Sequence, residues 1–138
     1  KQSRVLLNPS IVWTITKNFP TLDLLVILLN SRVYYIEREN QIVSFATVKK
    51  WKDCIEIGTV YTNPKYRGKK LAGRIIKRIK KDYGTIWLLC KNNLIRYYQK
   101  QRFRVINKSK NSIGKRQRLF NNTLGKVLGY ALKVMKSN

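Results

Sequence analysis

Tyr66-Arg67-Gly68-Lys69-Lys70-Leu71-Ala72-Gly73 (YRGKKLAG) is the stretch of this chain whose residue types best suit chemistry. Two glycines and an alanine keep it small, so a ligand can come close to the backbone. A helix opening here would point unpaired N–H groups at an anion. Arg67, Lys69 and Lys70 put positive charge at the same spot. A tight turn that merely opens a basic helix is the plainer reading of the same residues. The segment is neither a P-loop nor a dinucleotide fingerprint, because GxxxxGKS/T and GxGxxG are both absent.

Other chemistries drop out by composition. The 138 residues include no histidine, so Ser-His-Asp and Cys-His nucleophilic sites lack their base. His-ligated metals are excluded too, and two cysteines with six carboxylates make a buried metal site improbable. Cys54 and Cys90 form no CxxC motif and read as two buried thiols of a cytoplasmic protein.

Lys and Arg number 30, which leaves a formal charge of +24. The last acid is Asp82, and residues 83–138 carry 13 basic groups against none. Such a field attracts polyanions: nucleic acid, an anionic membrane surface or a phosphate-bearing cofactor. The longest apolar run, Leu24 to Leu29, is far below the roughly 20 residues that cross a bilayer. No secretory leader and no transmembrane segment are expected.

Positioning falls to elements legible from periodicity. Length and the scarcity of prolines suggest one domain over 1–138. Val5 to Leu7 suits a short strand, and Ile11 to Lys17 a strand or a helical turn. Thr21 or Asp23 caps an apolar helix running to about Asn30. Val33–Glu37 and Ile42–Val48 read as strands around a hairpin turn at 38–41, and Cys54–Thr62 as a third strand closed by Asn63-Pro64. Leu71, Ile75, Ile76 and Ile79 then recur at helical spacing until Gly84 stops the helix. Ile86–Cys90 is a short buried strand. Asn92 or Asn93 can cap a second helix to about Gln101, and Phe103–Ile106 is another strand. The tail from Ser112 is helical, with Tyr130 to Val134 as a final strand. This order predicts an α/β (α+β) chain with a mixed, mostly antiparallel central sheet.

With the elements placed, "VYTNPKYRGKKLAGRII" (Val60 to Ile76) resembles the signature of the GNAT superfamily of N-acetyltransferases. There a strand and a proline lead to Arg/Gln-x-x-Gly-x-Gly/Ala at a helix start. Arg67 takes the Arg/Gln place, Ala72 the last place, and Lys70 stands where the middle glycine usually is. "NNLIRYYQKQRFRVI" (Asn92 to Ile106) is similar to a second family segment, an asparagine followed by a helix ending in YEKLGF. Arg102 replaces that segment's glycine.

The resemblance implies a GNAT-like fold and transfer of acetyl from acetyl-coenzyme A to a primary amine by direct attack. It implies that Arg67, Gly68, Lys69, Lys70, Leu71, Ala72 and Gly73 hold the cofactor pyrophosphate. Backbone N–H groups of Val60, Tyr61 and Thr62 would polarise the thioester, and Asn92 and Asn93 would line the cofactor. Tyr98, five residues before Phe103, takes the place of the family's acid. Glu56, the one carboxylate inside a core strand, is the candidate base; a surface or salt-bridged glutamate is the rival reading. The acceptor is left open, with anionic or nucleic-acid-associated amines among the choices. A basic nucleic-acid- or ribosome-binding module on a degenerate acetyltransferase fold is the alternative function.

Overall fold

In the computed structural model the described residues are 2–4, 9, 13 and 31–138, and they form a mixed α/β fold. The strand expected at Val5 to Leu7, the element at Ile11 to Lys17 and the helix capped by Thr21 or Asp23 fall on residues outside the described set, Trp13 excepted. Two compact units make up the chain, Lys1–Lys50 with Gly58–Asp82 and Trp51–Ile57 with Tyr83–Asn138.

The first unit holds β1 (Gln2–Arg4), β2 (Ser31–Arg38), β3 (Gln41–Lys50) and the later part of β4 (Ile55–Thr62), in that spatial order. β1 and β3 both pair antiparallel with β2. Glu39 and Asn40 form the two-residue turn between β2 and β3, with φ of 49° and 57°. Both central residues in the left-handed region is the turn geometry whose twist matches paired strands. The sequence places this hairpin correctly, but β3 extends two residues past the expected end. Its residues Ile42 to Val48 are all buried, so both faces of β3 are covered. That explains why Val43, Phe45 and Ala46 sit in the core beside the polar Ser44 and Thr47.

Helix α1 (Leu71–Tyr83) buries Leu71, Ile75, Ile76 and Ile79, the stripe read from the sequence. It ends at Gly84, whose φ of +72° suits a left-handed cap. Near that end Asp82 accepts a hydrogen bond from the Tyr34 hydroxyl at 2.8 Å, which ties α1 to β2.

The second unit orders its strands β4-β5-β7-β6, with β5 at Trp87–Lys91, β6 at Phe103–Ile106 and β7 at Leu132–Ser137. β4 and β5 run parallel, and β7 is inserted antiparallel between β5 and β6. Its core gathers Ile57, Ile86, Leu88, Phe103, Ile113, Val134 and Met135. Helices α2 (Ile95–Lys100), α3 (Ser112–Asn122) and α4 (Leu124–Leu128) complete it.

Two expectations are corrected here. Neither Asn92 nor Asn93 caps α2, because both lie inside a 3-10 turn (Asn92–Leu94) that precedes it, and Leu94 takes the cap position without a side-chain bond. The final strand starts at Leu132 rather than Tyr130. Gly129, at φ +70°, ends α4, and the Tyr130 N–H bonds back to the Gly125 carbonyl at 3.1 Å. Tyr130 therefore completes a helix terminus instead of opening a strand.

Candidate functional site

The turn after β4 is built to leave donors unpaired. Asn63 accepts the Lys65 N–H on its side chain at 3.1 Å, and Pro64 opens a 3-10 turn through Tyr66. Gly68 then sits at φ +80° and Lys70 at φ +58°. These two left-handed residues swing the chain from the turn into α1. The Arg74 N–H bonds to the Lys70 carbonyl at 3.1 Å, so the N–H groups of Leu71, Ala72 and Gly73 precede the helical ladder. No acid occupies the first turn of α1. Leu71 is buried and pins the turn, whereas Arg67, Gly68, Lys69 and Lys70 are exposed and Ala72 and Gly73 half-buried. The array of open donors and cations suits a phosphate-bearing anion.

The cations have local supports. The Arg67 Nε donates to the Thr62 carbonyl at 3.4 Å, and the Lys69 ammonium lies 5.0 Å from the centre of the Tyr66 ring. An open cleft of about 510 Å³ beside the turn is lined by Arg38, Glu39, Tyr66, Lys69, Leu71 and Arg74. Arg38 and Arg74 have no counterpart in the sequence reading. Arg74 was legible as the next cation on the same helix; Arg38 required the hairpin to lie beside the turn.

Upstream, β3 holds the β4 backbone through two buried polar side chains. Thr47 Oγ1 accepts the Thr59 N–H at 2.8 Å, and Ser44 Oγ donates to the Tyr61 carbonyl at 2.9 Å. Asn63 donates its N–H to the Val43 carbonyl at 2.8 Å. Residues 59, 61 and 63 thus direct their polar groups at β3. Alternation along a strand then turns the N–H groups of Val60 and Thr62 toward the opposite edge. On that edge the pairing with β5 covers Glu56 and Ile57. Of the three predicted backbone donors, Val60 and Thr62 face the open side and Tyr61 faces β3. Gly58 makes the arrangement fit, since a Cβ there would meet Thr47 Oγ1 at 2.6 Å. The sequence reading overlooked Ser44 and Thr47. Their signal was two polar residues inside the otherwise apolar run of β3.

Glu56 lies in the second unit and is 3% exposed. Its Oε2 accepts from Trp51 Nε1 at 2.5 Å and from the Arg116 guanidinium, which also lies over the Trp51 ring. Of the rival reading for this residue, the salt bridge is present, whereas a surface position is ruled out by its burial. Among the described residues Oε1 has no hydrogen-bond partner. A buried carboxylate demands a cation, which was the available signal for Arg116, although nothing in the spacing pointed to residue 116.

Tyr98 is 7% exposed on α2, edge-to-face with Tyr97 at 5.1 Å and Phe103 at 5.8 Å. Burial, with smaller contributions from Tyr97 and Cys90, pushes its hydroxyl well above the usual tyrosine range. Tyr98 therefore keeps its proton at neutral and moderately alkaline pH. Asn92 and Asn93 are exposed in the turn that leads into the same helix. Cys90 is buried, but Cys54 is only half-buried; desolvation pushes each thiol up to about 11, so both are protonated and inert near neutrality.

Over residues 30–105 the sequence matches the family model for the acetyltransferase (GNAT) domain. No curated protein matches it in sequence. Several solved structures share its fold at low identity. An acyl-CoA N-acyltransferase from Pseudomonas aeruginosa is 12% identical with a TM-score of 0.71, covering 100% of this chain and 97% of its own. A GNAT family acetyltransferase from Elizabethkingia anophelis, with acetyl-CoA bound, is 17% identical at 0.66, covering 90% and 87%. An aminoglycoside 6'-N-acetyltransferase complexed with coenzyme A is 10% identical at 0.67, covering 99% and 96%.

Proposed function

Because the chain belongs to the GNAT acetyltransferase family, we propose that it transfers acetyl from acetyl-coenzyme A to a primary amine by direct attack. The observation that carries this reading is the turn at Arg67–Gly73, where left-handed Gly68 and Lys70 leave helix-start N–H groups open among cations. Its fit to a pyrophosphate is chemical: open donors, Arg67, Lys69 and Lys70 close by, and no acid in the first helical turn. Relatives crystallised with acetyl-CoA or coenzyme A favour the same ligand. The nucleic-acid-module alternative gains no support from the family match or from these relatives.

Bound acetyl-coenzyme A supplies an acyl thioester already activated for attack by an amine. The chain's own residues then have three tasks. The Val60 N–H, aimed away from β3, donates to the carbonyl oxygen as negative charge grows there. Tyr98, held protonated by burial, donates its hydroxyl proton to the departing sulfur. Glu56 receives the amine proton through water at Oε1, while Trp51 and Arg116 hold Oε2 and orient the carboxylate. Leu71 to Gly73 and Arg67, Lys69 and Lys70 fix the pyrophosphate so that the reacting end is positioned. Asn92 and Asn93 contribute polar side chains to the cofactor. One acetyltransferase domain spans the chain in this reading.

Titration calorimetry with acetyl-coenzyme A tests the proposal. Wild type should bind, and Gly68→Asp or Gly73→Asp should abolish binding by placing a carboxylate against the phosphates. Absence of heat at near-millimolar cofactor would overturn it.

A further inference from the structure

Apart from Ile113, which is fully buried at the start of α3, the aliphatic side chains of α3 and α4 point outward. Past Ile113, the inward side of the pair is held by polar groups and one aromatic. Gln117 donates to the Leu132 carbonyl at 2.8 Å, and Asn121 exchanges two hydrogen bonds with the Leu132 backbone at 2.8 and 3.1 Å. Phe120 packs on Tyr130 at 5.5 Å, with the Lys91 ammonium 4.1 Å from the centre of the Tyr130 ring. Gly125 faces inward as well, since a Cβ there would lie 2.8 Å from the Tyr130 carbonyl oxygen. Outward, Leu119, Leu124, Val127 and Leu128 are between 55% and 83% exposed. Positions 124, 127 and 128 share one face of α4 by helical spacing. Leu119 stands one turn before Thr123, whose backbone (φ −119°, ψ −96°) separates the two helices. Lys115, Arg118 and Lys126 lie exposed on the same pair, and no acid follows Asp82 in the chain.

We propose that this face of α3–α4 docks the protein on an anionic lipid bilayer, the four aliphatic side chains entering the headgroup boundary while the lysines and arginines meet lipid charge. Charge complementarity selects this occupant. A second copy of the chain would bring two surfaces of strong positive charge together. A single-stranded nucleic acid would seek aromatic platforms, but Phe120 and Tyr130 are engaged with each other. Among the described residues no helix is long and apolar enough to cross a membrane, so the contact is peripheral. The inference is independent of cofactor binding.

Flotation of the full chain with phosphatidylcholine vesicles, with and without about 30% phosphatidylserine, tests it. The protein should float with the anionic vesicles and at least tenfold less with the neutral ones. Val127→Ser/Leu128→Ser, which removes apolar surface without changing charge, should weaken anionic binding at least tenfold while circular dichroism stays unchanged. Leu119→Ser alone, on the other helix, should weaken it by a smaller factor, which keeps the test decisive if the double variant unfolds. No binding to anionic vesicles overturns the proposal. Binding that the serine variants leave intact also overturns it, by reducing the effect to bulk charge. If the same variants instead abolish self-association in sedimentation, or binding to a homopolymeric RNA, with vesicle binding unaffected, the face belongs to a second copy or to nucleic acid.

Discussion

Arg116 on α3 reaches the buried carboxylate of Glu56 on β4, two residues 60 apart in sequence, and shares it with the Trp51 indole. The two partners differ in environment: the Glu56 side chain is 4% exposed and that of Arg116 40%. The pair fastens α3 to the strand that carries the proposed chemistry.

Removing the cation should therefore cost more than removing both partners. Arg116→Met leaves a buried carboxylate unpaired and should destabilise by about 2–3 kcal/mol, below the usual range for a fully buried pair because Arg116 is partly solvated. Arg116→Met with Glu56→Gln should recover most of that loss, since the amide still accepts from Trp51. Urea unfolding midpoints of the two variants and of Lys115→Met as a surface control settle the order. Equal midpoints for Arg116→Met and the control would show that the pair contributes nothing.

Lys70 and Arg102 are the two positions where the chain departs from the family's glycines, and both retain the conformation a glycine would take, φ +58° and +61°. The fold imposes left-handed backbone there whatever the side chain. A non-glycine residue is strained in that region, so Lys70→Gly and Arg102→Gly should each raise stability by about 0.5–1 kcal/mol. Lys70→Val, with a branched Cβ, should lower it. Thermal or urea unfolding of the single variants reads the sign directly. Lys70→Gly should weaken cofactor binding without abolishing it, because one cation is lost while the open N–H groups remain.

These departures mark how far the site was legible. The glycine-rich turn, the α1 stripe and the strand limits at Phe103–Ile106 follow from local spacing, which is information the sequence carries in adjacent residues. Arg116, Ser44 and Thr47 act across 60, 17 and 12 residues on Glu56, Tyr61 and Thr59, and no periodicity encodes such pairings. The displaced start of β7 has the same origin. Tyr130 looked like a strand residue by alternation, but its N–H was claimed by the α4 terminus.

Acid should loosen two tethers at once. Asp53 accepts the Ser112 N–H at 2.9 Å where α3 begins, and hydrogen bonding from the Ser112 hydroxyl, then from this N–H, holds its carboxyl below the ordinary aspartate range. The Tyr34 hydroxyl, and then Arg78, do the same for Asp82. A lowered folded-state pKa means stability that is present above the unfolded value, near pH 4, and lost as pH falls through the folded value. Urea midpoints should accordingly decline below about pH 4. Asp53→Asn and Asp82→Asn should each start lower at neutral pH and flatten that decline. A slope unchanged in both variants would assign the acid sensitivity to other carboxylates.

Tyr98 offers the sharpest test of the chemistry, because its burial makes a directional statement about protons. In the proposed role, a hydroxyl pushed above the tyrosine range gives up its proton only as sulfur departs, and otherwise it stays protonated and neutral across the working pH range. Tyr98→Phe keeps the ring contacts with Tyr97 and Phe103 and removes one oxygen that has no hydrogen-bond partner among the described residues. Its folding midpoint and its affinity for acetyl-coenzyme A should stay near wild type. With an amine acceptor found by screening with thiol detection, kcat should fall by about 10²-fold or more, the usual reach of a positioned acid. Wild type should show no loss of kcat attributable to Tyr98 up to about pH 10, its unperturbed value. A kcat within twofold of wild type in Tyr98→Phe would return the residue to the core and leave the proton to water.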